Sequence, residues 1–244
     1  KVPMMKPLML TTRRRTLRYG LVGLLLTGLL GFGGCGGGDT DYPDPTASIT
    51  TTKTANALIE PATLKQWMDE GKVNNTDPVY LDKVVVVTVA TSAQYAAQHI
   101  PQSLLLAAGS QLALTRLDGV GTIGTEVLDG PSMDSLVQRL GVNGNTTVVF
   151  VASKGQNALN AARAYFTFRY WGFPKNRLKV LNGGEDGWEK AAASNAWPAT
   201  YALTNSAAPV IAASTFTVRN WYVNSGNSTA NFGLRTAIGE MLSV

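Results

Sequence analysis

The residues best suited to chemistry in this chain of 244 residues form a short polar loop that directly follows a buried apolar run. Ser153 brings a hydroxyl, Lys154 brings a positive charge, and Gly155 lets a ligand approach the backbone closely. Asn157 can cap the helix that follows, and the N-terminus of a helix attracts anions. These features are compatible with the binding of a small anion, and an ordinary strand-to-helix turn is the alternative. The candidate anion-binding residues are Ala152, Ser153, Lys154, Gly155, Gln156 and Asn157.

Catalysis by this loop would need a partner group, and the sequence offers few. The chain contains one histidine, His99, and one cysteine, Cys35. A serine nucleophile needs a base that is oriented by a third group, and no histidine lies near Ser153 in the sequence. One cysteine excludes a disulfide framework, and one histidine excludes a histidine-cluster metal site. We therefore predict no catalytic residue, no metal and no cofactor in this chain, and a structural role for His99.

Residues 1–34 have the layout of an export signal. Four arginines between residues 13 and 18 precede an apolar run over residues 19–32. This run is shorter than the roughly 20 residues that a membrane span needs. The arginine cluster resembles a twin-arginine signal, and the general secretory route is the alternative.

Cys35 lies at the end of this signal, in a sequence that resembles the lipobox of bacterial lipoproteins, Phe32-Gly33-Gly34-Cys35. We therefore predict that Cys35 carries lipid and anchors an exported protein to the membrane, at the periplasmic face or in the outer membrane. An uncleaved N-terminal anchor is the alternative. Residues 35–53 are rich in Gly, Asp, Pro, Ser and Thr, which predicts a flexible tether.

The positive charge of the chain belongs to its N-terminal segment. The formal net charge is +5, from 21 Lys and Arg against 16 Asp and Glu. Six basic residues precede residue 19 and no acidic residue precedes Asp39, which leaves 15 basic and 16 acidic residues in the rest of the chain. The charge of the body therefore gives no support to a nucleic-acid partner.

Residues 54–200 alternate between strand-like and helix-like segments. Continuous β-branched and aromatic runs at 84–89 and 146–151 are typical of strands buried in a parallel sheet. We predict shorter strands at 103–106 and 178–181, and helices at 60–68, 93–99 (capped by Ser92), 131–140, 158–171 and around Trp188. This alternation predicts an α/β fold with three layers, in which helices flank a mostly parallel central sheet. Ligands of such sheets bind beyond the carboxyl ends of the strands, which again selects the loop after residue 151.

Several segments, taken in order, resemble the rhodanese (sulfurtransferase) family over residues 54–198. The run Gln94-Tyr95-Ala96-Ala97-Gln98-His99-Ile100-Pro101 is similar to the family signature EYxxGHIPGA. Residues 147–151 look like its central strand. Arg163, Gly172 and the run Val180-Leu181-Asn182-Gly183-Gly184 with Trp188 are similar to its closing pattern, R…G…VLxGGxxxW.

The resemblance implies a rhodanese-like fold without the family's chemistry. In an active member, a Cys begins the loop after the central strand and carries a persulfide, whose charge is held by backbone N–H groups. That position is Ala152 here, or Ser153 if the alignment shifts by one, and neither residue can form a persulfide. Thr88, Ala90 and Gln94 replace the usual acid, Arg and Glu of the signature. We therefore expect this chain alone to be inactive as a sulfurtransferase.

The tail leaves two functions open. Residues 201–214 look like an interdomain linker, 215–220 like a strand, and Leu234, Ile238, Met241 and Leu242 have helical spacing. By resemblance, this order predicts the start of a second, truncated rhodanese domain. The chain would then be the non-catalytic half of a tandem sulfurtransferase at the cell envelope, which transfers sulfur or another chalcogen.

The alternative is a stand-alone, catalytically dead module whose tail packs back on the domain. Such a module would bind an envelope protein or a small oxyanion, in selenite or tellurite reduction or in extracellular electron transfer. The resemblance implies a small sulfur- or selenium-containing anion as the ligand of the loop. Residues 119–124 match the pattern GxGxxG, but no clear strand precedes them and no acid follows at about 20 residues. We therefore predict a flexible loop there and no dinucleotide site.

Overall fold

The computed structural model describes residues 52–77, 80, 82–117 and 121–218, which belong to one compact unit, Thr40–Val244. The strands are β1 Leu58–Ile59, β2 Val84–Ala90, β3 Leu104–Ala107, β4 Leu114–Leu117, β5 Thr122–Glu126, β6 Thr147–Ala152 and β7 Leu178–Leu181. The helices are α1 Pro61–Asp69, α2 Ser92–Ala97, α3 Gly130–Arg139, α4 Leu159–Tyr170 and α5 Gly184–Ser194, with 3₁₀ turns at Lys175–Arg177 and Ala199–Tyr201.

Five parallel strands form the central sheet, in the order β1-β7-β6-β2-β3. Every residue of β2 and β6 is buried, which explains why both strands read as continuous apolar runs. Because the strands are parallel, the carboxyl ends of β2 and β6 lie side by side, with Val89 opposite Ala152. The loop after β6 therefore starts at the centre of the sheet edge.

Helices cover both faces of the sheet, so the predicted three-layer α/β fold is confirmed. One face packs against α1 and α5 through side chains such as Trp67 and Trp188. The other face packs against α3 and α4 through side chains such as Met133 and Phe168. Each cluster is apolar and closely packed, which makes the sheet a rigid support for the loops at its edge.

Three local predictions were wrong. The cap of α2 is Thr91 rather than Ser92, and its hydroxyl accepts from the Gln94 N–H in a capping box. Helix α2 ends at Ala97 because Gln98 is extended and His99 pairs with Thr204. Part of the expected flexible loop at 119–124 is strand β5, which pairs with β4 in an antiparallel hairpin.

The described part of the tail packs against the domain. Ser214 donates from its N–H to the Gln138 carbonyl oxygen and from its hydroxyl to that of Val142. Val218 is buried, and its N–H donates to Asp134. Residues 215–217 are irregular, so the predicted strand does not form there. Residues 219–244, including the expected apolar helix, lie outside the described residues.

Residues 52–57, which we call the N-terminal strap, hold the other end of the domain. Thr52 is fully buried, and its N–H and hydroxyl both donate to Asp82. The Val180 N–H donates to the carbonyl oxygen of Ala57, 2.8 Å away. The predicted tether, 35–53, otherwise lies outside the described residues, as do the export signal and Cys35.

Candidate functional site

The loop after β6 begins in tight contact with α5. Ala152 is 7% exposed, and Gly184, the first residue of α5, has a left-handed φ of 56°. A Cβ on Gly184 would lie 2.6 Å from the Ala152 carbonyl oxygen and 3.0 Å from its Cβ. Only glycine permits this approach, so the Gly183-Gly184 turn fixes α5 against the first residue of the loop.

Three carboxylates of α5 bind donor groups of Lys154 and Gly155 in the loop. The Lys154 N–H donates to Glu185 Oε2 at 2.9 Å, and the Gly155 N–H donates to Asp186 Oδ2 at 2.8 Å. The Lys154 ammonium lies 2.7 Å from Glu189 Oε2. Sequence reasoning missed these residues, although two acids directly after a Gly-Gly pair, and a third acid three residues later, were a visible signal.

Glu185 lies at the centre of this arrangement and is fully buried. Its Oε1 accepts from the Thr88 hydroxyl at 3.2 Å, and the Ile100 N–H faces the same carboxyl group. Burial raises the pKa of Glu185, and the charge of Asp186 adds to this effect. Hydrogen bonds from Lys154, Thr88 and Ile100 oppose the rise.

The Ser153 hydroxyl makes no hydrogen bond to a base among the described residues. The residue is 3% exposed, and its Oγ has no hydrogen-bond partner among the described residues. Its carbonyl oxygen accepts from the Gln156 N–H at 3.0 Å, which closes the turn. Asn157 Oδ1 accepts from the Leu159 N–H at 3.0 Å, while the N-cap residue of α4 is Ala158. The predicted cap is therefore displaced by one residue, but its hydrogen bond to the first turn exists.

His99 is a structural residue, as the sequence indicated. Its ring stacks on Tyr95 with the centroids 3.8 Å apart, and Nδ1 lies 2.8 Å from the Tyr95 carbonyl oxygen. Its backbone exchanges two hydrogen bonds with Thr204. The Tyr95 hydroxyl in turn donates to the Ser103 carbonyl oxygen at 2.5 Å. These contacts fix the turn that carries Ile100 toward Glu185.

Anion binding by the loop stays a prediction, and it would require the loop N–H groups to lose their present acceptors. An external anion would have to displace Glu185 or Asp186 from the N–H groups of Lys154 and Gly155.

Among the described residues, no group of three or more His, Cys, Asp or Glu side chains is placed to hold a metal. Within the same ranges, no helix is both long and apolar enough to cross a membrane.

The sequence of the domain matches a sequence model of the rhodanese-like domain over residues 60–191, which is more than half of the chain. The chain belongs to the rhodanese-like family. It is 43% identical over 58 residues to a Caenorhabditis elegans protein named "Putative thiosulfate sulfurtransferase mpst-4", a match that covers 23% of this chain and 20% of that protein.

The solved structures that are similar to the chain include SseA and YnjE. SseA from Escherichia coli, from a study of 3-mercaptopyruvate sulfotransferases, has a TM-score of 0.47 at 17% identity, over 66% of this chain and 55% of that one. YnjE has a TM-score of 0.48 at 18% identity, over 66% of this chain and 33% of that one. The chain therefore spans from one fifth to about half of the length of these relatives.

The rhodanese signature residues that this chain retains hold the fold together. Trp188 is fully buried, and its Nε1 donates to the Tyr201 carbonyl oxygen at 2.7 Å. Arg163 donates to the carbonyl oxygen of Thr125 in the hairpin. Gly184 permits the contact with Ala152. The retained residues therefore link the match to the family with contacts that stabilise the fold.

Proposed function

We propose that this chain is a non-catalytic rhodanese-like domain, and that it forms one half of a tandem sulfurtransferase anchored at the cell envelope through Cys35. One observation supports the loss of catalysis above all. A methyl group, that of Ala152, stands where the resemblance places the nucleophilic Cys, and the neighbouring N–H donors of Lys154 and Gly155 already bind carboxylates. The loop thus offers no thiol, and carboxylates occupy its Lys154 and Gly155 N–H groups, which could otherwise hold a sulfur charge.

A sulfurtransferase assay tests the loss of catalysis. The full chain, incubated with thiosulfate and cyanide, should form thiocyanate no faster than the heat-denatured chain. A Cys35→Ser variant serves as the matched control, because Cys35 is the only thiol of the chain. Turnover well above the denatured control that survives Cys35→Ser would contradict the proposal.

The second candidate is a stand-alone module that binds an envelope protein or a small oxyanion. The packing of the tail favours it, because Thr204 pairs with His99 and Ser214 bonds to Gln138 and Val142. A segment held in this way behaves as part of the domain rather than as a free linker.

The intact mass of the protein isolated from membranes separates the two candidates. Peptides beyond Val244 that carry a second rhodanese signature with a Cys or selenocysteine would favour the tandem enzyme. A C-terminus at Val244 together with an acylated Cys35 would favour the stand-alone module. Peptide mapping at both ends should accompany the mass, so that the lipid and any added sequence are located separately.

A further inference from the structure

The carboxyl group of Glu185 sits in a cradle of hydrogen-bond donors that come from three separate parts of the fold. Thr88 donates from the end of β2 and Lys154 from the loop after β6, and the Ile100 N–H in the turn after α2 faces the same carboxyl group. Two of these three groups are backbone N–H groups, and each carboxyl oxygen accepts one hydrogen bond, at 3.2 Å from the Thr88 hydroxyl and at 2.9 Å from the Lys154 N–H. Such convergence is the arrangement that recognises an oxyanion.

Contacts other than those with Glu185 hold the three donors in place. Thr88 is part of the central sheet, between Leu105 of β3 and Val151 of β6. Its hydroxyl also lies 3.0 Å from the Ser103 hydroxyl. Ile100 is fully buried next to the pairing of His99 with the tail. The sheet and its turns therefore hold the donors in position whether or not a carboxyl group lies between them.

An empty cradle would also cost free energy, which favours the presence of an anion in it. A buried carboxylate is costly unless donors replace the water that it loses, and a donor without an acceptor is costly in the same way. Without the Glu185 side chain, the N–H group of Lys154 would lose its acceptor, and the Thr88 hydroxyl would lose one of its two partners. The buried Ser153 hydroxyl has no partner among the described residues, so the same loop holds one more polar group able to turn toward an anion.

We propose that Glu185 is an internal ligand, which permanently fills a three-element binding site for a small carboxylate or oxyanion, and that this site takes up an external anion of the same class once the Glu185 side chain is removed. This inference rests on the proposed function in one respect, because it assumes that the loop carries no bound sulfur. It explains why no external anion is needed to hold the loop in place.

Chemical rescue of a Glu185→Ala variant tests the inference. The variant should unfold at lower urea concentration than the wild type in chloride, and formate, acetate or thiosulfate at equal ionic strength should restore part of the loss. At an anion concentration ten times its Kd, the ratio of folded to unfolded protein should rise about tenfold. If the variant does not fold in chloride, refolding from urea in formate must recover the native circular dichroism spectrum.

Two control variants separate rescue at the cradle from a general effect of salt. Glu189→Ala removes an exposed acid that pairs with the Lys154 ammonium. Met133→Ala opens a cavity in the apolar core on the other face of the sheet. The inference is overturned if formate stabilises these variants and the wild type as much as Glu185→Ala, or if it stabilises none. The thiocyanate assay is independent of this result, so failure of the rescue would leave the loss of catalysis untouched.

Discussion

Lys179 provides the sharpest quantitative test of the structure. It lies in β7, is fully buried, and holds the N-terminal strap through its ammonium. Nζ lies 2.6 Å from the Thr54 carbonyl oxygen, 3.1 Å from the Thr54 hydroxyl and 2.7 Å from the Asn56 carbonyl oxygen. All three acceptors are neutral, and burial lowers the pKa of Lys179 from its ordinary value of 10.5 to about 8.

This pKa fixes both the sign and the size of a pH effect. Between pH 8 and 10.5 the unfolded chain binds more protons at Lys179 than the folded chain, so the free energy of unfolding rises with pH. The full shift corresponds to about 3 kcal/mol. The free-energy penalty for burying the charged lysine should fall by about 2.5 kcal/mol between pH 7 and pH 10, because Lys179 is neutral in most folded molecules at pH 10.

Urea denaturation of the wild type and of Lys179→Met at pH 7, 8.5 and 10 measures this effect. Methionine retains the apolar stem but removes the charge and the three donors to the strap. The difference in unfolding free energy, wild type minus variant, should therefore increase by about 2.5 kcal/mol from pH 7 to pH 10. Lys190→Met, which removes an exposed lysine of α5, should follow the wild type. A difference that stays constant over this range would refute the buried, charged lysine.

Two further predictions concern α5. Gly184→Ala should lower the free energy of unfolding, measured by urea denaturation, by at least about 2 kcal/mol, because it adds positive-φ strain to a clash with Ala152. The control Gly109→Ala, with no atom within 4 Å of the added Cβ, should change stability by less than about 0.5 kcal/mol. Equal losses in the two variants would contradict the packing of the Gly-Gly turn. Because the pKa of Glu185 is raised, the folded wild type binds more protons above pH 4.5 than the unfolded chain, and its free energy of unfolding should fall as the pH rises. Glu185→Gln, which cannot titrate, should not show this fall. Urea midpoints of both proteins from pH 4 to pH 8 check this, and a wild-type-minus-variant difference independent of pH would contradict it.

The sheet could be predicted because its strands carry their own signal. Buried parallel strands are apolar on both faces, so β2 and β6 stood out as continuous runs whose observed bounds differ by about one residue from those predicted. The β4–β5 hairpin carries no such signal, because its strands are short and Thr122, Gly124 and Thr125 are exposed. A bulge between Leu114 and Arg116 also breaks the alternation of its pattern.

The position of the candidate site could be predicted from the sequence, but the side chains that bind its N–H groups could not. The loop was found because it follows the central strand of a parallel sheet. The contacts that fill it join Lys154 to Glu185 and Gly155 to Asp186, and each pair lies 31 residues apart in the chain. Local patterns contain no information about such pairs. Their formation depends on the packing of Gly184 against Ala152, which only the folded chain displays.

Two departures from the family signature, at Thr88 and Ala152, lie close to the contacts of Glu185. The signature usually places an acid where this chain has Thr88, and a Cys where it has Ala152. Glu185 brings a carboxyl group back to the hydroxyl of Thr88 from the opposite side, and the same group accepts the N–H of Lys154 beside the lost Cys position. A carboxylate at this place would disfavour a thiolate, since like charges in a buried site raise each other's pKa. These surroundings therefore support the proposal that the domain has no nucleophilic Cys at this loop and carries out no sulfur chemistry.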